Sequence, residues 1–193
     1  MHKDNLRKFM LSVFSMTDEK VTELMEEFES FSLLKYSFLI TENKMIKHTY
    51  FLENGYVRSF TLDKDGQEVT TNIFTAPCFV NDFPAFFKRL PATQNFQTLT
   101  DCNGWAMNFD FIENSFHNSP ESRKFGRMLL LNYYELLNER MLGMIKDSAE
   151  ERYAKLLTNH PDIFQNVPLK IIASYLGITD TSLSRIRRNY AHK

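Results

Sequence analysis

The chain of 193 residues is long enough for one or two domains with a buried core. Its 43% hydrophobic and 24% charged residues are typical of a folded globular protein and exclude wholesale disorder. A formal net charge of −1 excludes a polycation, and two cysteines exclude a disulfide-rich scaffold. No apolar run reaches the roughly 18 residues of a membrane span, and the N-terminus lacks the apolar core of a signal peptide. We therefore expect a cytoplasmic protein with no membrane contact.

The first thirty residues show helical periodicity, with Thr17 placed to cap a helix. Residues 31–111 change to short alternating strands, which predict a compact antiparallel roll. Prolines between residues 76 and 95 predict a loop or short helix inserted in this roll. Asn-Gly and Asp-Gly pairs favour tight hairpins, so we predict three such turns. These turns are Glu53-Asn54-Gly55, Asp63-Lys64-Asp65-Gly66 and Asp101-Cys102-Asn103-Gly104.

A long helix follows the strands. Ser119 and Pro120 are typical of a helix start, and no helix stopper appears until about Asp147. Two apolar stripes run along it, so the helix must be covered twice: once by the roll, and once by the same helix of a second subunit across a two-fold axis. The alternative is a helix buried within one monomer. The stripe predicted to face the roll is Phe125, Leu129, Tyr133 and Leu136, and the predicted dimer seam is Leu130, Tyr134, Leu137, Met141 and Met144.

The C-terminal segment combines a cationic charge with a helical pair. Residues 167–193 carry five basic residues and one acidic residue, whereas the remaining 166 residues carry a net charge of −5. Residues 148–151 are a capping box that opens a helix, and residues 159–166 are predicted to be a linker. The pattern of residues 169–188 fits a helix-turn-helix, with the left-handed turn residue at Gly177.

The second helix of this pair carries the candidate functional surface. Leu183 and Ile186 are predicted to face the core, and an outward Arg185 could donate two hydrogen bonds to guanine in a major groove. Arg187 and Arg188 suit phosphate contacts. The alternative is a plain helical hairpin with a solvated basic face. The candidate DNA-binding residues are Thr179, Asp180, Thr181, Ser182, Ser184, Arg185, Arg187 and Arg188.

The order of these elements resembles that of the Crp/Fnr family of bacterial transcription regulators over nearly the whole chain. The most specific parts are residues 172–186 and 51–58. The resemblance implies an α+β fold: a cyclic-nucleotide-binding type β-roll with flanking helices in residues 1–118, a long dimerisation helix in 119–146 and a DNA-binding helix-turn-helix domain in 147–193. It also implies a homodimer on a near-palindromic operator.

The resemblance further implies where this chain departs from its relatives. Arg185 matches an arginine common in the family, whereas Asp180 and Thr181 stand where the family often has Arg and Glu, so we expect a different operator. Nucleotide-binding members hold the cyclic phosphate with an arginine that is absent from the aligned stretches here, so we predict that cyclic AMP is not the ligand. The candidate effector pocket comprises Asn81, Asp82, Arg89, Thr93, Gln94 and Asn95.

The nature of any effector stays open. Phe79, Phe83, Phe86 and Phe87 either fill the space of a nucleotide or line an apolar ligand pocket. Iron–sulfur sensing in the family needs four cysteines, and the scattered histidines suggest no metal set, so we expect neither metal nor cofactor. Cys78 is a redox-sensitive thiol or a small buried residue.

Catalysis is not expected, because no phosphate loop, nucleophile elbow or zinc spacing is present. Candidate partners are double-stranded DNA, a second copy of the chain, an unidentified small-molecule effector and RNA polymerase. Two alternatives remain: a ligand-gated protein-interaction module with a β-roll and no DNA binding, and an effector-free regulator that is active whenever the dimer exists.

Overall fold

The computed structural model describes residues 3–14 and 17–191. Helices precede, interrupt and follow eight strands, in the order α1 (Asp4–Phe14), α2 (Asp18–Glu26), β1 (Glu29–Leu33), β2 (Phe38–Ile40), β3 (His48–Asn54), β4 (Tyr56–Leu62), β5 (Glu68–Thr75), β6 (Cys78–Val80), α3 (Phe83–Phe87), β7 (Asn95–Thr98), β8 (Cys102–Asn108), α4 (Phe109–Asn118), α5 (Pro120–Lys146), α6 (Ala149–Asn159), α7 (Ile163–Asn166), α8 (Leu169–Leu176) and α9 (Asp180–Ala191). Within this part of the chain, no helix is long and apolar enough to cross a bilayer.

The strands form two four-stranded antiparallel sheets, with the orders β1-β8-β3-β6 and β2-β7-β4-β5. Phe51 of β3 lies opposite Trp105 of β8 and Phe79 of β6, and its side chain is fully buried. In the other sheet, Val57 of β4 pairs with Phe74 of β5 and is also fully buried. The predicted antiparallel roll is therefore confirmed, with its core built from apolar and aromatic residues of both sheets.

One of the three predicted hairpins is confirmed and two are wrong. β4 pairs with β5 around the turn at Gly66, whose φ is +76°. Gly55 (φ +101°) instead marks the corner where the chain leaves one sheet for the other. Gly104 lies inside β8, where a Cβ atom would collide with the Phe51 carbonyl oxygen. A glycine that allows positive φ or close strand approach therefore need not mark a hairpin.

The N-terminal helices and the inserted segment follow local signals. Thr17 caps α2 by accepting a hydrogen bond from the Lys20 backbone N–H at 3.3 Å, as predicted. The proline-containing segment between residues 76 and 95 contains the predicted short helix, α3, which Asp82 caps. It also contains β6, which pairs with β3 and was not predicted.

The 27-residue helix α5 has the predicted bounds, with Ser119 as its N-cap and Asp147 as its C-cap. Two aromatic contacts hold its first half to the roll: Phe125 on Phe79 and Tyr133 on Phe83, with ring centroids 5.8 and 5.1 Å apart. Leu136 was assigned to the same stripe but is 62% exposed, so only the first part of the stripe packs on the roll.

The last four helices share a second core with one edge of the roll. Ile172, Leu183 and Ile186 of this core are at most 1% exposed, and Ile73 of β5 joins them. The backbone N–H of Thr70 in β5 donates a hydrogen bond to Ser174 Oγ in α8 at 2.9 Å. The prediction of residues 159–166 as a simple linker is wrong in part, because they include α7, which inserts Ile163 into this core.

Candidate functional site

The turn between α8 and α9 sets the direction of the C-terminal helix. Gly177 has φ +67°, and the N–H of the next residue, Ile178, donates to the Ala173 carbonyl at 3.0 Å, which ends α8 in a left-handed cap. Thr179 Oγ1 then accepts a hydrogen bond from the Ser182 backbone N–H at 3.2 Å. The predicted turn glycine and the predicted cap are confirmed.

Helix α9 buries one face and exposes the other. Leu183 and Ile186 point into the second core, as predicted, and each is 1% exposed. The candidate DNA-binding residues are all exposed except Ser182, which is half-buried. Spacings of three and four residues place Thr181, Arg185 and Arg188 on one outward stripe.

The three arginines of this outward surface are unpaired within the described part of the chain. Within residues 3–14 and 17–191, no ion pair or side-chain hydrogen bond engages Arg185, Arg187 or Arg188. A guanidinium that is exposed and unpaired keeps all its donors free for a ligand. The α9 surface can therefore bind phosphate or read base edges without first breaking an internal contact.

The predicted dimer seam forms an exposed apolar stripe on α5. Leu130 is 38% exposed and Tyr134 is 63% exposed, and the other seam residues lie between these values. At the C-terminal end of the stripe, a side chain at Gly177 would collide with the methyl group of Met144. The seam thus reaches the turn that precedes α9.

A second contact between α5 and α8 was not predicted. The Arg140 guanidinium lies 4.0 Å over the Tyr175 ring, and burial lowers the pKa of Arg140. Arg152 of α6 reinforces this junction by donating to the Leu176 carbonyl at 3.0 Å. No sequence signal could have found these contacts, because they depend on how α5, α6 and α8 meet.

The centre of the candidate effector pocket is closed by its own hydrogen bonds. Asp82 is 3% exposed, and its Oδ2 accepts from both the backbone N–H and the hydroxyl of Thr93 at 2.8 and 2.7 Å. Its Oδ1 accepts from the Ala85 backbone N–H at 3.3 Å. The carboxylate also lies near Tyr133, whose pKa burial raises to about 12 with a further contribution from the Asp82 charge.

The other candidate effector residues separate into different environments. Gln94 Oε1 accepts from Thr71 Oγ1 at 2.5 Å, and Asn95 Oδ1 accepts from the Glu42 backbone N–H at 3.0 Å. Arg89 is turned towards α4, where it pairs with Asp110 at 3.3 Å. Asn81 is fully buried, and neither amide atom has a hydrogen-bond partner within the described residues.

The buried arginine of the roll is also engaged. Arg58 is 8% exposed and pairs with Glu68 at 2.7 Å, while it donates two hydrogen bonds to Gln97 Oε1. Its guanidinium lies 4.1 Å over the Phe60 ring. Neither this arginine nor Arg89 is therefore free beside Asp82.

The four phenylalanines and Cys78 of the inserted segment lie at or beside one cavity. Phe79, Phe83, Phe86 and Phe87 all line one cavity, which the helices α1 to α5 also border. Cys78 lies next to it in β6, and burial, with the neighbouring Cys102, raises the pKa of its thiol to about 12. The reactive thiolate is therefore scarcely populated near neutral pH.

Among the described residues, no group of histidine, cysteine or carboxylate side chains could hold a metal ion.

Comparison with known proteins agrees with this architecture. Residues 31–119 match the family model of the cyclic nucleotide-binding domain. The chain is similar in structure to FixK2 from Bradyrhizobium japonicum (18% identity, TM-score 0.72, 86% of this chain and 85% of that one). It is also similar to the c-di-GMP responsive global regulator CLP from Xanthomonas campestris (12% identity, TM-score 0.69, coverage 91% and 92%). No curated protein sequence matches the chain.

A third similar structure carries the family name itself. It is a protein assigned to the crp/fnr family of transcriptional regulators from Eubacterium rectale (13% identity, TM-score 0.72, 92% of this chain and 84% of that one). The match to the cyclic nucleotide-binding domain model thus spans nearly all of the roll, from β1 to the end of α4. The chain as a whole has the fold of Crp/Fnr family regulators, which confirms the resemblance inferred from the sequence.

Proposed function

We propose that the chain is a homodimeric, sequence-specific DNA-binding transcription regulator of the Crp/Fnr type, without catalytic activity. The observation that carries this proposal is the outward surface of α9, which presents three exposed arginines with no partner among the residues that the structure describes. Its opposite face is anchored in the second core by Leu183 and Ile186, which keeps the arginines outward.

The chemistry of this surface suits duplex DNA. An α-helix fits the major groove, and a bidentate arginine–guanine contact is worth about 1–3 kcal/mol of discrimination. Arg185 lies in the middle of the outward stripe and is assigned to a base edge. Arg187 and Arg188 add phosphate contacts, which give affinity that falls with salt.

Dimerisation is supported by the exposed seam on α5. Apolar residues repeated with coiled-coil spacing gain most from burial against the same stripe of a second copy. A two-fold axis along α5 would present two α9 helices to half-sites about one helical turn apart, roughly 34 Å. The operator proposed for such a dimer is near-palindromic.

We propose that cyclic AMP is not the ligand of the roll. Its phosphate would need a cation beside Asp82, whereas Arg89 pairs with Asp110 and Arg58 pairs with Glu68. Asp82 itself already accepts hydrogen bonds from Thr93 and Ala85. Breaking these bonds without a compensating ion pair would oppose nucleotide binding. The roll is therefore assigned a ligand other than cyclic AMP, or none.

Selection of bound fragments from a random duplex pool tests the proposal. The expected result is enrichment of one near-palindromic sequence, which a fluorescence anisotropy titration then confirms as tight and salt-dependent. The protein-interaction alternative predicts no enrichment and no binding to any duplex, even at low salt. That result would contradict the proposed function.

A further inference from the structure

An open groove lies between the second half of α5 and the helices α6 and α8, and its volume is about 580 Å³. We call it the α5–α8 groove. Four residues of α5 line it at a spacing of four, three and four, which places them on one face of the helix. They are Leu136, Arg140, Gly143 and Asp147. This face continues the stripe that packs on the roll, and Met144 of the seam reaches only the edge of the groove.

Two arginines of the groove have no carboxylate partner. The Arg140 guanidinium is half-buried and lies 4.0 Å over the Tyr175 ring. Arg152 is also half-buried, and it donates to the backbone carbonyls of Leu176 at 3.0 Å and Asp147 at 2.6 Å. No ion pair within residues 3–14 and 17–191 includes either arginine. Burial lowers the pKa of Arg140, and the charge of Arg152 lowers it further, so two like charges lie close together.

The remaining charged residues leave the groove cationic. Lys155 pairs with Asp147 at 2.7 Å, so these two charges compensate each other. Lys146 adds a positive charge and Glu139 a negative one. Four basic and two acidic residues therefore line the groove, which gives a formal charge of +2 with His160 neutral. Partly buried charges of one sign are unfavourable without a counter-ion, so the groove is suited to an anion.

The proposed dimer would not supply this anion. In a parallel coiled coil, a charged residue that flanks the seam on one side pairs with residues that flank it on the other side of the partner helix. Arg140 flanks the seam directly before Met141. The residues that flank it on the other side are Leu131, Asn138 and Ile145, and none of them is acidic. The anion must therefore come from a different molecule.

We propose that the α5–α8 groove binds a small molecule that carries a phosphate group on an apolar body, with the phosphate held by Arg140 and Arg152. A phosphate monoester carries about −1.5 to −2 charges near neutral pH, which balances two guanidinium groups. Arginine matches the geometry of phosphate with paired hydrogen bonds, and the two backbone carbonyls occupy only part of the donor set of Arg152.

The rest of the groove determines what the phosphate is attached to. Leucines from all three helices line it: Leu136, Leu142, Leu156 and Leu176. Small-molecule sites typically measure ~300–1,000 Å³ and combine apolar walls with a few polar groups. The groove has this size and this composition, so it suits a phosphate ester with a ring or a short hydrocarbon chain.

The position of the groove connects such a ligand to α9. Arg140 belongs to α5 and Arg152 to α6, and Arg152 also holds the end of α8 just before the turn at Gly177. A phosphate bound by both arginines would fix the angle between α5 and the helices that carry α9. This consequence rests on the proposed function, whereas the binding site itself does not.

Isothermal titration calorimetry of the full chain with phenyl phosphate tests the site. We expect saturable binding of phenyl phosphate, weaker binding of inorganic phosphate, which lacks the apolar body, and no binding of phenol, which lacks the charge. Methyl NMR with labelled methionines locates the ligand. Met144 lines the groove and its signal should shift, whereas Met107 lies in the core of the roll and its signal should not.

Four variants make the test specific. Arg140→Gln should weaken phenyl phosphate binding roughly tenfold or more, because charged hydrogen bonds are lost. Glu139→Gln removes a negative charge from the groove and should strengthen binding about two- to threefold, a gain that misfolding could not produce. Lys124→Gln removes a positive charge from an exposed position of α5 outside the groove and should leave binding unchanged. Arg188→Gln on α9 should also leave it unchanged.

The absence of saturable binding would overturn the proposal. So would an unchanged affinity in Arg140→Gln, no gain in Glu139→Gln, or a loss in Arg188→Gln as large as that in Arg140→Gln, which would place the phosphate on α9. The titration contains no DNA, so a negative result refutes the phosphate site and leaves the proposed function intact. A failed duplex selection would equally leave the titration unaffected.

Discussion

Asp82 and Gln94 of the roll differ from the arginines of α9 in whether their polar groups are bonded to other described residues. Inside the roll, Asp82 accepts hydrogen bonds from Thr93 and Ala85, and Gln94 accepts one from Thr71. The arginines of α9 are exposed and have no internal partner in the described chain. The bonded groups of Asp82 and Gln94 hold the roll together, whereas the arginines of α9 are available for binding. Changes in the roll should therefore affect stability, and changes on α9 should affect affinity.

The largest effect is expected at the seam on α5. Like the outward surface of α9, the seam is proposed to bind another molecule, in this case a second copy of the chain. Leu137→Asp places a charge on the exposed apolar stripe and should convert the proposed dimer to monomers, because burying an unpaired carboxylate is strongly unfavourable. Sedimentation should show the smaller species, and operator binding should be lost with it.

The matched control for this change is Glu135→Lys, a charge reversal at an exposed position of α5 outside the seam. This variant should remain dimeric. A dimer that persists in Leu137→Asp would show that the seam has been assigned to the wrong stripe of the helix.

The second prediction tests the roll. Asp82→Ala leaves the backbone N–H groups of Thr93 and Ala85 without an acceptor, and should lower the free energy of unfolding by about 1–3 kcal/mol. Urea denaturation measures this change. Once folded, the variant should bind duplex DNA as the wild type does. A stable variant with altered DNA binding would contradict the division between the two regions.

A smaller effect is expected at the junction between α5 and the C-terminal helices. Ser148→Ala removes the side chain that accepts from the Glu151 N–H at 3.2 Å, and should destabilise the second core by about 1 kcal/mol. Thermal unfolding measures the loss. The control is Ser12→Ala. Ser12 is exposed and lies inside α1, so it does not cap a helix, and this change should lower the melting temperature much less.

The features that the sequence predicted well are those set by nearby residues. The bounds of α5, the capping box at Ser148, the left-handed Gly177 and the inward Leu183 all depend on side chains within a few turns of one another. Helix periodicity and capping are local, so a single sequence carries them.

The features that the sequence did not predict depend on contacts between distant segments. The sequences around Gly55 and Gly104 both resemble turns. The pairing of the strands makes Gly55 a corner between the two sheets and places Gly104 within β8. The direction of Arg89 likewise depends on the position of Asp110 in α4. Long-range pairing of this kind leaves no periodic signal.

The most direct test of the account is the affinity of Arg185→Ala for the selected operator and for a scrambled duplex, measured by fluorescence anisotropy. The account predicts a loss of about 1–3 kcal/mol on the operator, little change on the scrambled duplex and an unchanged melting temperature. Lys44→Ala, which removes the same charge from an exposed position of the roll, should bind both duplexes as the wild type does. An equal loss on both duplexes, or no loss on either, would contradict the assignment of Arg185 to base reading.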